Sequence, residues 1–573
     1  MRRTIFLLSL LMVTTMMYAV PAKRGVWKTL PLGGGAEVRA QLCGDERVHY
    51  WKSEAGVAYV LDSVSQVYVP VDHTKLVRKS VQRRFVRHRA AMLRKSPARR
   101  AAGYTGTKRG LVILVEFNDV GFKSSHDISL YENILNTEDY TSGDFRGSVH
   151  DYFKAQSGGL FDLEFDVFGP VVLDNSQRYY GSNDREGNDK HPGEMVVEAC
   201  QAINDTVDFS VYDWSGDGYV DQVYVVYAGK GEADGGGTST IWPHEWTLTE
   251  SDYGEALQLD GVAIDTYACG PELSAGNRLA GIGVFCHEFS HCLGIPDFYD
   301  TAYAGYYGMG DYDLMCSGSY NGGGFVPAGY TAYEKWHAGW LQPEELDAED
   351  LDIDSLRPMS QGGGAYVIYN KAHPDEYYLV ENRQQTGWDV RLPGKGLMVT
   401  HVDYDEMAWT WNIVNSVVDY TSYAAQYPEY EGVKNDHERM TIFHADNEDD
   451  KRYWNDSYYT RVTTTTDLYP YAGNDSLTST SRPAATLYNE NTDGSKFMGK
   501  DILDIRQHTD GTVSFRFRAN AGGDGLLPVV PEPPVGDTSL FDLAGRRLSS
   551  SSLRTSQLPQ GVYVRNGRKL LGR

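Results

Sequence analysis

Residues 286–300, CHEFSHCLGIPDFYD, constrain this chain more than any other stretch. His287 and His291 are four apart, so on a helix both imidazoles leave the same face one turn from each other. Gly294 follows three residues later, where the helix must stop. Glycine accepts the positive φ of a sharp exit, and Pro296 keeps the helix from resuming. The turn then swings Asp297 back toward the two histidines. Two imidazoles, one carboxylate and one position left open form the donor set of a catalytic zinc site, whereas structural zinc sites are closed. Glu288 adjoins the first histidine, where its carboxylate can serve as general base toward a water that the metal activates.

A rival zinc architecture shares HExxH but takes its third ligand from a later ExxxD helix. The first later glutamate is Glu334, and the residue four beyond it is Ala338, so that pattern is missing. Downstream, DLMCSG places Met315 in a tight turn, where a methionine can form an apolar floor under the metal. HExxHxxGxxD with this methionine turn resembles the metzincin signature, with Asp297 where many members have histidine. GSVHDYFKAQSGG, IWPHEW, HEFSHCLGIPDFYD, DYDLMCSGSY, EYYLVENRQ and LPGKGLMVTHVD together resemble the immune inhibitor A family of secreted bacterial metzincins, over most of residues 110–518. The resemblance implies a zinc endopeptidase with a propeptide and an aspartate as third ligand. Some metzincins carry a tyrosine two residues after the methionine. Ser317 stands there in this chain, which leaves Tyr320 as the nearest candidate.

Other residues admit a structural and a functional reading. Asp213, Ser215, Asp217 and Asp221, with Gly218, resemble an EF-hand-type calcium loop, but Tyr224 occupies the position of the usual bidentate glutamate. An acidic turn without metal is the alternative. His244, between Trp242 and Trp246, and His401 are expected to be structural. Asn382, Arg383 and Trp388 are expected at a domain interface. Latency in such precursors is often imposed by a propeptide thiolate or carboxylate; Cys43 and Asp45 are the candidates, against a plain strand-end turn.

The chain divides by composition. Arg2 and Arg3, an apolar run over residues 5–17 and small residues at Ala19 and Ala22 describe a secretory signal peptide, placed at 1–22. Residues 23–109 are expected to be a propeptide, with strands near 36–42 and 57–61. Its basic stretch, 75–109, holds thirteen Lys or Arg and no Asp or Glu, with Val77, Val81 and Phe85 at helical spacing. The whole chain nonetheless has a formal net charge of −25. An acidic body argues against nucleic acid as a partner and suits a basic propeptide docked upon it. Residues 110–345 alternate strands and helices, so an α+β catalytic domain is expected there. Residues 346–518 read as a β-rich, sandwich-like accessory domain. Residues 519–537, with four prolines, form a linker. Residues 538–573 (FDLAGRR, then LPQGVYV) resemble a type IX secretion sorting tail. Six cysteines without CxxC spacing do not make a disulfide scaffold, although export permits one or two bridges.

The expected protein is thus a secreted or cell-surface zinc endopeptidase acting on protein substrates and made with its own inhibitory propeptide. Calcium and the secretion machinery are further expected partners. An adhesion protein on an inactive protease fold and a non-peptidase zinc amidohydrolase are the alternatives.

Overall fold

The structure is a computed structural model that describes residues 20–519 and three strands between 540 and 572. Excepted are residues 24, 47, 63–64, 73–75, 77–103, 185–186, 303–304, 424, 426–430 and 449–463. The helical pattern expected at Val77, Val81 and Phe85, the linker and the leader up to Ala19 lie outside the described residues. Residues 1–519 form one compact unit and 520–573 a second.

The run LVILV becomes the middle of strand β6 (Gly106–Glu116), and all five of its side chains are buried. It lies between two parallel neighbours, β7 (Phe161–Val172) and β8 (Val223–Lys230). A strand covered on both faces has no polar side to show, which is why it reads as an unbroken apolar run. Its alternation sorts the two faces. Leu111, Ile113 and Val115 join Met195, Val196 and Ala199 of helix α3 (Pro192–Ile203). Val112 and Leu114 face the other way, into the core of helices α1 (Ile128–Asn136), α2 (Val149–Gln156) and α4 (Gly283–Cys292). Beyond β8 the sheet ends in antiparallel pairing. Strand β12 (Thr266–Ser274) runs parallel to β8, while β9 (His244–Thr247) and β13 (Arg278–Leu279) run against β12. A small hairpin, β10 (Leu257–Leu259) and β11 (Val262–Ile264), lies outside this sheet.

Before this sheet come five strands in consecutive antiparallel order: β1 (Trp27–Pro31), β2 (Glu37–Gly44), β3 (His49–Ser53), β4 (Ala58–Leu61) and β5 (Tyr68–Val71). Its apolar face does not stand alone. Leu30, Ala40, Leu42, Trp51 and Tyr68 share one cluster with Ala233, Trp242 and Val284 of the following domain.

After helix α5 (Ala332–His337) the chain builds a second sheet of β14 (Glu344–Glu345), β16 (Ala365–Tyr369), β17 (Glu376–Arg383), β18 (Gly396–Asp403) and β21 (Met440–Ile442). Strand β15 (Leu351–Leu356) joins β22 (Asp501–Gln507) and β23 (Val513–Arg518) in a three-stranded sheet, and β19 (Val418–Asp419) pairs with β20 (Lys434–Asn435). Every residue of β17 and β18 is buried. Tyr378, Val380, Leu397 and Val399 pack with Val513, Phe515 and Phe517 of the smaller sheet. Tyr377, Leu379, Met398 and Val402 point the opposite way, into the same core as α2 and α4. One continuous core therefore spans the expected boundary at residue 345. In the terminal unit, β24 (Leu540–Asp542), β25 (Gly561–Arg565) and β26 (Arg568–Gly572) form an antiparallel sheet. Among the described residues, no helix is long and apolar enough to cross a membrane.

A buried ion cluster ties the second sheet to the first domain. The Arg383 guanidinium donates to both oxygens of Asp389, at 2.8 and 3.0 Å, to Glu381 at 3.2 Å and to the Gly329 carbonyl at 3.0 Å. Asn382 donates to the carbonyls of Leu356 and Gly511, and Trp388 packs edge-on against Tyr152. Arg383 and Trp388 thus reach the preceding domain, through Gly329 and Tyr152, whereas the Asn382 amide bonds only within the β-rich region. Arg383→Met would leave two carboxylates buried without their cation, which costs about 3–5 kcal/mol. Urea unfolding followed by tryptophan fluorescence should show that loss; an unchanged midpoint would contradict the role given to Arg383.

Candidate metal centre

Helix α4 is buried from Gly283 to His291, so its two histidines are fixed by packing on all sides. The helix begins against the turn that follows Met315. A side chain at Gly283 would put its Cβ 1.9 Å from the Ser319 carbonyl oxygen, so only glycine permits this approach. It ends in a Schellman motif: the Gly294 N–H donates to His291 O and the Ile295 N–H to Ser290 O, with Gly294 at φ +85°.

That exit positions the third side chain. His287 Nε2 and His291 Nε2 lie 3.0 Å apart, and Asp297 Oδ1 is 3.2 Å from the first and 3.4 Å from the second. Nδ1 of His287 faces the Leu314 carbonyl at 2.8 Å, and Nδ1 of His291 faces the Ile295 carbonyl at 2.7 Å. A carbonyl can only accept, so both protons belong on Nδ1 and both Nε2 lone pairs point inward. Burial lowers the His291 pKa to about 4, against the pull of Asp297, so this ring is neutral.

Three acceptor atoms therefore converge in a dry interior with no donor among them. Ligand atoms about 2.0–2.1 Å from one tetrahedral centre stand about 3.3–3.4 Å from each other. The observed spacings of 3.0–3.4 Å suit that geometry, so the residues fit a zinc ion.

Glu288 is fully buried beside this triad, and burial raises its pKa well above the usual range. Its Oε1 accepts the Val20 N–H at 2.9 Å. The same segment is gripped twice more: the Trp242 indole donates to Val20 O at 3.1 Å, and the Tyr320 hydroxyl to Pro21 O at 2.8 Å. Met315 is fully buried in the core that includes α4, and its turn touches the triad through the Leu314 carbonyl.

The remaining candidates are placed as follows. Cys43 Sγ approaches the Gln41 carbonyl at 3.7 Å, burial pushes its thiol up to about 12, and Asp45 accepts the Val48 N–H in a turn. Sequence reasoning missed Val20, because a backbone N–H carries no side-chain signal. Asp213 accepts N–H groups from Gly216, Asp217 and Gly218, and Asp221 accepts that of Trp214, so the loop satisfies these carboxylates with its own backbone as an Asx turn does. Asp217 accepts from the Tyr219 N–H, and Ser215 is exposed. His244 lies between the Trp242 carbonyl and the Tyr267 hydroxyl, and burial lowers its pKa to about 4. His401 pairs with Glu376 at 2.9 Å and stacks on Phe443. All six cysteines are free thiols, so the bridges that export would permit are not formed.

Comparison with known proteins adds an independent finding. Residues 98–344 match the family model for the immune inhibitor A peptidase M6 catalytic domain. The chain is similar to immune inhibitor A of Bacillus thuringiensis subsp. alesti, 27% identical over 309 residues, which is 45% of this chain and 44% of that protein. It is also similar to the pre-pro-metalloprotease PrtV of Vibrio cholerae serotype O1, 26% identical over 302 residues, or 44% of this chain and 32% of that one. The chain therefore spans less than half the length of either relative.

Proposed function

Since the chain belongs, through residues 98–344, to the immune inhibitor A peptidase M6 family, we propose that it is a secreted zinc endopeptidase of the metzincin type, made as a latent precursor. The observation that carries this reading is the convergence of three lone-pair donors beside a buried glutamate, in a domain of a peptidase family.

His287, His291 and Asp297 would hold the zinc ion. When bound, zinc acidifies a water and polarises the scissile carbonyl. Glu288 takes a proton from the attacking water and passes it to the departing amine as the peptide bond breaks. Leu314 and Ile295, through their carbonyls, keep both imidazoles in the tautomer that presents Nε2. The Trp242 indole and the Tyr320 hydroxyl would then grip the substrate main chain by its carbonyl oxygens, as they grip Val20 and Pro21.

Latency follows from the same contacts. With the Val20 N–H on Glu288, the base is engaged and the cleft is filled. The five-stranded sheet of residues 27–71 anchors this segment by burying its apolar face on Trp242 and Val284. Neither Cys43 nor Asp45 is needed for it. Because Val20 is fully buried and held by two partners, we propose that the leader ends between Ala19 and Val20, three residues earlier than the expected boundary at 22. Residues 538–573 remain proposed as the sorting tail; their three described strands pair in one antiparallel sheet.

Casein cleavage by the matured protein should fall by about 10²–10⁴-fold in Glu288→Ala, the usual weight of a general base, and should vanish with a zinc chelator. A variant that cuts as well as the parent would remove Glu288 from the mechanism. Mass spectrometry of the exported precursor should give Val20 as the first residue; a start at Lys23 would refute the Val20 latency contact.

A further inference from the structure

Asp297 does not reach its position through its own loop alone. Its N–H donates to Asn412 Oδ1 at 2.8 Å, and Asn412 Nδ2 donates to Asp297 Oδ2 at 2.6 Å. The pair is reciprocal and fully buried. It occupies Oδ2 and leaves Oδ1, which has no hydrogen-bond partner, aimed at the two Nε2 atoms. Asn412 lies far beyond the matched segment, which ends at residue 344.

The local fold explains why an asparagine stands there. Helix α6 (Glu406–Thr410) starts with the Asp405 carboxylate accepting the Ala408 N–H. It ends in a second Schellman motif, with the Asn412 N–H on Trp409 O and the Ile413 N–H on Ala408 O. Asn412 takes the left-handed position of that motif at φ +49°. Glycine and asparagine are the residues that enter this region at least cost, and only asparagine brings an amide with a donor and an acceptor. The segment is then pinned on the first domain. Thr301 Oγ1 donates to the Asn412 carbonyl at 2.7 Å, and Asn415 Nδ2 donates to the Phe298 carbonyl at 2.8 Å. From the other side, Asn435 Nδ2 donates to the carbonyls of Ile413 and Ser416.

We propose that Asn412 is a positioning residue for the metal: it fixes the rotamer of Asp297, so that the zinc site is completed by the region after residue 345. The inference rests on the zinc reading of His287, His291 and Asp297. Partners that orient metal ligands typically account for roughly 10–100-fold in affinity. The β-rich region is then a working part of the centre, and the shared core described above holds it in register with α4.

The test uses the full chain, stripped of metal and titrated with zinc against a chromogenic chelator. The parent should bind one zinc per chain. Asn412→Gly keeps the left-handed backbone without strain and removes only the amide, so it should fold, by circular dichroism, and bind zinc roughly 10–100-fold more weakly. Asn412→Asp keeps the size but has no donor for Asp297 Oδ2, and it should weaken binding as well. Parental affinity in either folded variant overturns the proposal. So does a failure of both to fold, since that would make Asn412 a folding residue rather than a positioning one. A parent that binds no zinc refutes the underlying metal site instead, which keeps the two failures apart.

Discussion

Three acceptor atoms held within 3.4 Å of one another, with no proton between them, set the terms for the rest of this molecule. Converging lone pairs in a buried interior are costly without a cation, because bulk water cannot screen them. The fold secures this arrangement from several sides. Carbonyls of Leu314 and Ile295 fix the imidazole rings, Gly294 makes the turn that returns Asp297, and Asn412 holds that carboxylate by its far oxygen. The carbonyl of Leu314 comes from the methionine turn, so the turn and the helix are locked together at the triad itself.

The same centre explains why the N-terminal sheet packs where it does. Its strands bury an apolar face on Trp242 and Val284, and the segment before them reaches Glu288, Trp242 and Tyr320 through Val20 and Pro21. The main chain of the segment is held by the Trp242 indole and the Tyr320 hydroxyl.

Much of this was legible in the sequence. Spacing alone brought His287, Glu288, His291, Gly294 and Asp297 together, because helix periodicity and a glycine exit are local rules. The apolar run at 111–115 and the strands at 365–369 and 396–402 were readable for the same reason. Long-range contacts were not. Val20 acts through its backbone N–H, 268 residues from Glu288, and any residue but proline has one. Asn412 sits in a stretch with no motif, and its pairing with Asp297 spans 115 residues. The strand pattern after 345 suggested a separate domain because alternation shows which faces are apolar but not what covers them. Both faces of β17 and β18 are covered, one by the smaller sheet and one by the catalytic core.

The most direct check on the account is a crystal structure measured on both sides of the zinc absorption edge. The account predicts a single anomalous peak about 2.0–2.1 Å from His287 Nε2, His291 Nε2 and Asp297 Oδ1. A peak coordinated by other residues, or none at this triad in zinc-loaded crystals, would contradict it.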